Sequence, residues 1–175
     1  MIRMGLDAST KSSGWCIFND DELIEYGKIS PDDDSLTWRE RIVWMMHQIA
    51  LIIKKYDVKE LIAETPVKTT KNVNTLEQLF SLHGAILGIA TVLHINFVPV
   101  DVNQWRKSLG LLKDIPKNSA DKRAILKKRS IEMANNLYDL NLVWKSNSSK
   151  FNDDDISDSI LIATVIIQGY KRGER

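Results

Sequence analysis

The chain has few of the residues that mark secreted or disulfide-stabilised proteins. Its 175 residues include one cysteine, Cys16, which excludes an intrachain disulfide and a zinc site built from cysteines. We expect this thiol to be a small apolar core residue in a protein of the reducing cytoplasm. No uninterrupted apolar run approaches the roughly 18 residues of a membrane span, and Arg3 and Asp7 interrupt the apolar stretch at the N-terminus. Neither a signal peptide nor a membrane partner is therefore expected.

The chain also lacks a strong net charge, with a formal value of only +1. The charges are nevertheless unevenly distributed, because segment 106–129 holds nine Lys or Arg residues against two Asp residues. Acidic residues concentrate elsewhere, notably at 32–34 and 153–158. A basic segment beside an acidic site suits a polyanionic substrate, although a charge run by itself is more typical of a solvated helix face.

The length and the 43% hydrophobic content predict a single domain over residues 1–175 with a sizeable core. Apolar periodicity predicts five strands, at 2–8, 14–19, 23–29, 58–63 and 95–100. It predicts helices after a capping box at Thr37 and Glu40, after Asn74, and over 102–109, 119–137 and 153–170. This order predicts an α/β fold in which three antiparallel strands are followed by parallel ones, with helices on both faces of a mixed five-stranded sheet.

Four carboxylates stand where an ionised side chain needs an explanation. Asp7 and Glu64 end apolar strand patterns, where a charge is costly unless a cation neutralises it. Asp155 and Asp158 are three residues apart in the last predicted helix and share one face, although Asp154 is a rival of Asp155. The strands of Asp7 and Glu64 can be neighbours, with the last helix beside them. An oxygen-rich cluster of this kind suits Mg²⁺ or Mn²⁺, and pairs of such ions cut phosphodiesters.

Four short motifs, in order along the chain, resemble those of RuvC-type Holliday junction resolvases of the ribonuclease H-like superfamily. They are Gly-Leu-Asp-Ala-Ser-Thr-Lys-Ser-Ser-Gly-Trp at 5–15, Leu-Ile-Ala-Glu at 61–64, Ala-Asp-Lys-Arg at 120–123 and Asp-Ile-Ser-Asp-Ser at 155–159. The resemblance extends from residue 2 to about residue 167. It implies a ribonuclease H-like fold, a homodimer, and nicking of branched DNA that requires two Mg²⁺ ions per site, with Mn²⁺ as a substitute, and leaves 5′ phosphates.

By position, the resemblance assigns the metal-binding acids to Asp7, Glu64, Asp155 and Asp158, and a basic residue near the scissile phosphate to Lys122. The basic residues expected to hold DNA phosphates are Lys68, Lys71, Arg106, Lys107, Lys117, Lys122 and Arg123. Gly84 and Gly88 are four apart in the second helix, where they could pack on the sheet or lie at a dimer interface. Trp105 and Trp144 could stack on bases, but we favour a core position for Trp105 and a loop anchor for Trp144.

The chain departs from the family at two places. Ala8-Ser9 follows Asp7 where the family usually has Pro-Gly. Segment 65–72 has no aromatic residue, whereas relatives carry a Phe there that stacks on a junction base. We therefore expect cleavage to depend on the shape of the branch and only weakly on the sequence at the crossover.

Three other functions fit parts of the pattern. A ribonuclease H-like nuclease that acts on RNA–DNA hybrids would need the same acids. A branched-DNA binding module that does not cleave would have lost one of them, and all four are present. The opening Gly-x-Asp-x-Ser-Thr also resembles the first phosphate loop of sugar kinases and actin-like ATPases, but those need a second such domain. The working compartment is expected to be a bacterial cytoplasm, or the host cytoplasm if a phage encodes the protein.

Overall fold

The structure is a computed structural model that describes residues 1–66, 72–115, 121–147, 149 and 151–169. Five strands form one sheet in the order β3-β2-β1-β4-β5. They are β1 (Ile2–Asp7), β2 (Ser13–Asn19), β3 (Glu22–Ile29), β4 (Glu60–Glu64) and β5 (Asn96–Val100). The first three pair antiparallel, whereas β1 with β4 and β4 with β5 pair parallel. The predicted mixed sheet is thus confirmed, including the neighbouring positions of β1 and β4.

Five helices follow the predicted order. They are α1 (Trp38–Tyr56), α2 (Val73–Val92), α3 (Val102–Ser108), α4 (Lys122–Tyr138) and α5 (Asp154–Ile167). The capping box of Thr37 and Glu40 at the start of α1 is confirmed. The predicted cap of α2 is wrong by two residues, because the side chain of Asn72, and not that of Asn74, accepts the backbone N–H of Thr75.

The core has two parts, one on each face of the sheet. On one face, α1 and α2 pack against Met4, Leu6 and Leu61. On the other face, α4 and α5 pack against Phe18 and Ile62. Alternation along the strands explains this division, because successive side chains of a strand point to opposite faces. Cys16 is buried in the second part as predicted, and burial raises the pKa of its thiol to about 12.

Helix α5 lies directly on β1 and β2 because two strand residues have no side chain. A Cβ on Gly5 would lie 2.5 Å from the carbonyl oxygen of Ser159, and one on Gly14 would lie 1.9 Å from that of Asp155. Both distances are far shorter than a van der Waals contact, so a larger residue at either position would push the helix off the sheet. This close approach places the N-terminus of α5 against the end of β1.

Helix α2 is unusually apolar on its outer side. Its length and its mean hydropathy of 1.2 meet the criteria for a membrane span, and it is the one helix in the described ranges that does so. Core helices meet the same criteria, and Leu82, Ile86 and Ala90 of α2 are buried against the sheet and α1. Phe80 and Leu87 are exposed, and a Cβ on Gly84 or Gly88 would meet no atom of the described residues within 4 Å.

Candidate active site

The four predicted acids come from three elements that meet at the carboxyl ends of strands β1 and β4. Asp7 is the last residue of β1 and Glu64 the last of β4, and these parallel strands are in register through Leu6 and Ala63. Asp155 and Asp158 lie in the first turns of α5. Because Gly14, the β2 partner of Asp7, lets α5 approach so closely, the helix acids reach the carboxyl ends of β1 and β4.

The electrostatics of the cluster show that negative charge is poorly compensated. Burial raises the pKa of Asp7 well above its ordinary value, and Asp158, Glu64 and Asp155 raise it further. Burial is also the main reason why the pKa values of Glu64, Asp155 and Asp158 are raised. The folded chain therefore favours protonation of these acids, or the binding of a cation that takes the place of the protons.

Three of the four acids have a specific hydrogen-bond or ion-pair partner. The indole N–H of Trp105 donates to Oε2 of Glu64 at 2.9 Å, and the hydroxyl of Ser12 donates to Oδ2 of Asp155 at 2.6 Å. Oδ2 of Asp158 pairs with the Arg106 guanidinium at 3.3 Å. Oδ1 of Asp158 is buried and accepts no hydrogen bond of normal geometry from the described residues, although the nearby Ser130 side chain lowers the pKa of this carboxyl. A bound cation or a water molecule can satisfy a buried carboxylate oxygen of this kind.

Asp154 has a different partner from its neighbour Asp155. It is buried and forms an ion pair with Lys127, whereas Asp155 contributes to the raised pKa of Asp7. The arrangement thus supports Asp155 as the acid that faces Asp7, with Asp154 set toward the basic helix α4.

Among the described residues, Arg106 is the basic side chain that affects the pKa values of most of the four acids. Its guanidinium carbon lies 4.9 Å from the centre of the Trp105 ring, and its Nε is buried with no partner in that part of the chain. The positive charge of Arg106 lowers the pKa values of Asp7, Glu64 and Asp158, against the stronger effect of burial. The residue predicted to hold a DNA phosphate therefore lies inside the carboxylate cluster.

A cavity of about 640 Å³ opens between the acids and the basic helix α4. Its acidic side carries Asp7, Asp154, Asp155 and Asp158, and its basic side carries Arg106, Lys122, Arg123 and Lys127. The structure thus brings Lys122 and Arg123 to the acids as predicted, whereas Lys107 is exposed and does not line this cavity. Lys68, Lys71 and Lys117 lie outside the described residues.

A smaller cavity, of about 100 Å³, lies on the α2 side of Asp7 and Glu64. Its other walls are mostly apolar and include Pro66, Leu82 and His83. Burial lowers the pKa of His83, whose ring packs edge-on against Phe97 at 5.5 Å. His47 and His94 are exposed, and none of the three histidines lines the larger cavity with the acids.

The donor set fits a hard cation, although the four carboxylates lie apart from one another. All four side chains offer oxygen, the ligand that Mg²⁺ and Mn²⁺ prefer. As placed, no three Asp, Glu, His or Cys side chains of the described residues are close enough together to hold a metal ion. The carboxylates would have to move closer to one another for a cation to bind.

Sequence reasoning missed three contributors to this site. Trp105 was expected to be a core residue, which it is, but its indole N–H also positions Glu64. Ser12 belongs to the Ser-rich turn between β1 and β2 and binds an acid 143 residues away. Lys127 follows Arg123 by four residues on α4, and this i, i+4 spacing on a basic helix was the signal that could have found it.

The comparisons with known proteins agree with this architecture. The family model described as DUF3882, Lactococcus phage M3 protein, matches residues 3–168. No curated protein matches the chain. Thermus thermophilus RuvC in complex with a Holliday junction substrate is 12% identical, with a TM-score of 0.70 over 97% of this chain and 98% of that chain.

One viral structure and one eukaryotic structure are similar as well. The fowlpox virus resolvase in complex with Holliday junction DNA is 17% identical, with a TM-score of 0.57 over 97% of this chain and 98% of that chain. The yeast mitochondrial Holliday junction resolvase is 13% identical, with a TM-score of 0.59 over 96% and 78% of the two chains. At these identities the likeness establishes the fold, and it confirms the predicted ribonuclease H-like architecture. The chain has the fold of the RuvC-type resolvases. It belongs to the family DUF3882, which is described as Lactococcus phage M3 protein.

Proposed function

We propose that this protein is a metal-dependent endonuclease that nicks branched DNA such as Holliday junctions. The observation that carries the proposal is the position of Asp7, Asp155 and Asp158 on one side of a cavity whose other side is basic, with Glu64 close enough to raise the pKa of Asp7. Phosphodiester cleavage by this fold needs oxygen ligands for cations and positive charge for the phosphate, and both line the same cavity. The similar solved structures, two of them bound to Holliday junction DNA, point to branched DNA as the substrate class.

The four acids would hold two Mg²⁺ ions, or Mn²⁺ as a substitute. When bound, such ions supply an activated water and stabilise the leaving 3′ oxygen, which yields a 5′ phosphate. The raised pKa values of the acids and the buried Oδ1 of Asp158 support this use of the site. Trp105 and Ser12 restrict the orientation of Glu64 and Asp155, as outer residues commonly do for metal ligands.

The basic residues of the cavity would bind and orient the DNA backbone. Lys122 and Arg123 are exposed at the first turn of α4, where they can reach a phosphate that approaches from solvent. Arg106 already pairs with Asp158, so its charge would be free for a phosphate once a cation takes over that carboxylate. Lys127 forms an ion pair with Asp154 and adds positive charge to the basic side of the cavity.

A homodimer would place two such sites on the two strands of a junction, and α2 offers a face for a second copy. Phe80, Gly84, Leu87 and Gly88 are spaced four, three and one residues apart and share the exposed side of the helix. Neither glycine packs against another part of the described chain. Two helices can approach closely at such positions, and apolar neighbours would be buried.

A substrate panel tests the proposal. The protein is incubated with labelled four-way junction, linear duplex and RNA–DNA hybrid, each with Mg²⁺ and with EDTA. We expect nicks in the four-way junction that require Mg²⁺ and leave 5′ phosphates, with little cleavage of the duplex. Preferential cleavage of the hybrid would identify a different ribonuclease H-like nuclease. Junction binding without cleavage in any divalent ion would identify a binding module.

A further inference from the structure

Hydrogen bonds join residues 143–146 to residues 152 and 153 at the two ends of the loop in front of α5. The backbone N–H of Val143 donates to Oδ2 of Asp153 at 2.8 Å, and the N–H of Asp153 donates back to the carbonyl of Val143 at 3.0 Å. The buried Asn152 accepts from the N–H of Lys145 at 2.8 Å and donates to the carbonyl of Ser146 at 2.7 Å. These bonds hold the two ends of the loop together directly in front of α5.

A second tie joins this loop to the sheet. The ammonium group of Lys28, on β3, donates to the carbonyl of Asn152 at 2.9 Å. Trp144 packs partly buried against the core, and Lys127 lies 6.0 Å from the centre of its ring. Because Lys127 also pairs with Asp154, the same side chain links the loop to the carboxylate cavity.

The loop turns an aromatic ring outward. Phe151 is 63% exposed, although it directly precedes the buried Asn152. The ammonium group of Lys145 lies 5.0 Å from the centre of the Phe151 ring. An exposed aromatic face beside a cation matches the composition of sites that bind single-stranded nucleic acid, where rings stack on bases and cations contact phosphates.

The position of Phe151 relative to the acids suits a DNA strand. Phe151 precedes Asp155 by four residues, so the two Cα atoms are at most about 14 Å apart at the extension limit of a chain. Bases along a DNA strand rise about 3.4 Å each. The Cα of Phe151 is thus at most about four base steps from the Cα of Asp155.

We propose that Phe151 stacks on an unpaired nucleobase at the branch point of the DNA, with Lys145 against an adjacent phosphate. The inference rests on the proposed function, because it takes branched DNA as the ligand. It locates in front of α5 the aromatic contact that segment 65–72 lacks. Trp105 is fully buried and Trp144 partly buried, whereas most of the Phe151 side chain is exposed to solvent. Stacking selects unpaired bases, which a branch offers and a linear duplex does not, and it tolerates every base.

Equilibrium binding to DNA that carries 2-aminopurine at the branch point tests this proposal. The Asp7→Asn protein serves as the background, so that cleavage does not interfere. Phe151→Leu keeps an apolar side chain but removes the ring, Phe151→Trp keeps a ring, and Val143→Ala changes another exposed apolar residue of the same loop. Thermal melting of each variant checks that the fold is intact.

We expect Phe151→Leu to bind the four-way junction about 5-fold to 150-fold more weakly, the equivalent of roughly 1–3 kcal/mol of stacking. Quenching of 2-aminopurine should disappear in Phe151→Leu and persist in Phe151→Trp and Val143→Ala, and binding to linear duplex should not change. Unchanged junction affinity and quenching in Phe151→Leu would overturn the proposal, as would an equal weakening on linear duplex. A change in molecular mass by sedimentation without a change in quenching would also overturn it, because the ring would then contact a second copy instead.

These outcomes are separable from those of the nuclease proposal. Binding and quenching are measured in a non-cleaving protein, whereas the nuclease proposal stands or falls on Mg²⁺-dependent nicking by the wild type. A wild type that never nicks, together with weaker junction binding in Phe151→Leu, would refute the nuclease and support the stacking role of the ring.

Discussion

Removing the indole N–H that holds Glu64 isolates the contribution of positioning to this site. Trp105→Phe deletes the 2.9 Å hydrogen bond to Oε2 of Glu64 while keeping an aromatic ring in a position that is 0% exposed. A hydrogen bond to a charged group contributes about 1.5–3 kcal/mol. In a domain of this size each kcal/mol corresponds to roughly 2–4 °C of Tm, so the variant should melt about 3–12 °C lower.

The more specific expectation concerns the metal. Changes to residues that hold a metal ligand in place typically cost 10–100-fold in metal affinity or activity. Nicking of a four-way junction, measured across a Mg²⁺ titration, should reach half of its maximum at a Mg²⁺ concentration about 10–100-fold higher in Trp105→Phe. Trp44→Phe on α1, at the opposite face of the sheet, serves as the control and should lower the stability without any change in Mg²⁺ dependence. Equal Mg²⁺ dependence in the two variants would refute the positioning role of Trp105.

The charges and the shape of the site lead to three more expectations. Changing Lys122 and Arg123 to Ala should weaken DNA binding and reduce the slope of log K against log salt by about 0.9 for each phosphate that is no longer neutralised; an unchanged slope in a salt titration would show that both face away from DNA. The raised pKa values mean that the folded state binds more protons than the unfolded state above about pH 4, so metal-free stability should fall as pH rises toward neutrality. Melting in EDTA should show a smaller fall for Asp7→Asn, and Mg²⁺ should reduce the fall in the wild type; identical pH profiles would contradict the charge repulsion. Finally, junctions that differ only in crossover sequence should be cut at similar rates, with a three-way junction comparable, whereas a preference of about a hundredfold for one sequence would refute recognition by shape.

The predictable part of the site is the part that depends on local pattern. Asp7 and Glu64 each end an apolar strand, and the strand order places those two ends side by side. Asp155 and Asp158 follow from helical spacing within α5. The sequence favoured Asn74 as the cap because Glu77 follows it by three residues. Asn72 lies only two residues earlier, and the structure shows that its side chain is the one that accepts the backbone N–H of Thr75.

The pairing of the acids with their partners could not be predicted from spacing. Trp105 and Glu64 are 41 residues apart, and Arg106 and Asp158 are 52 apart, so no periodicity relates them. The apolar environment of Trp105 predicted burial correctly, but burial does not reveal where an indole N–H points. Arg106 belongs to a basic run in the sequence, and only the packing of α3 against α5 turns it toward the acids.

The most direct test of the nuclease proposal is the nicking of a labelled four-way junction by the Asp7→Asn protein at saturating Mg²⁺, with junction affinity measured in the same preparation. Asp7 is the acid whose pKa is raised by each of the other three, whereas phosphate binding depends mainly on the basic wall of the cavity. We predict that Asp7→Asn binds the junction with an affinity close to that of the wild type and produces no nicks. Nicking by Asp7→Asn at the wild-type rate would contradict the proposed role of the carboxylate cluster in catalysis.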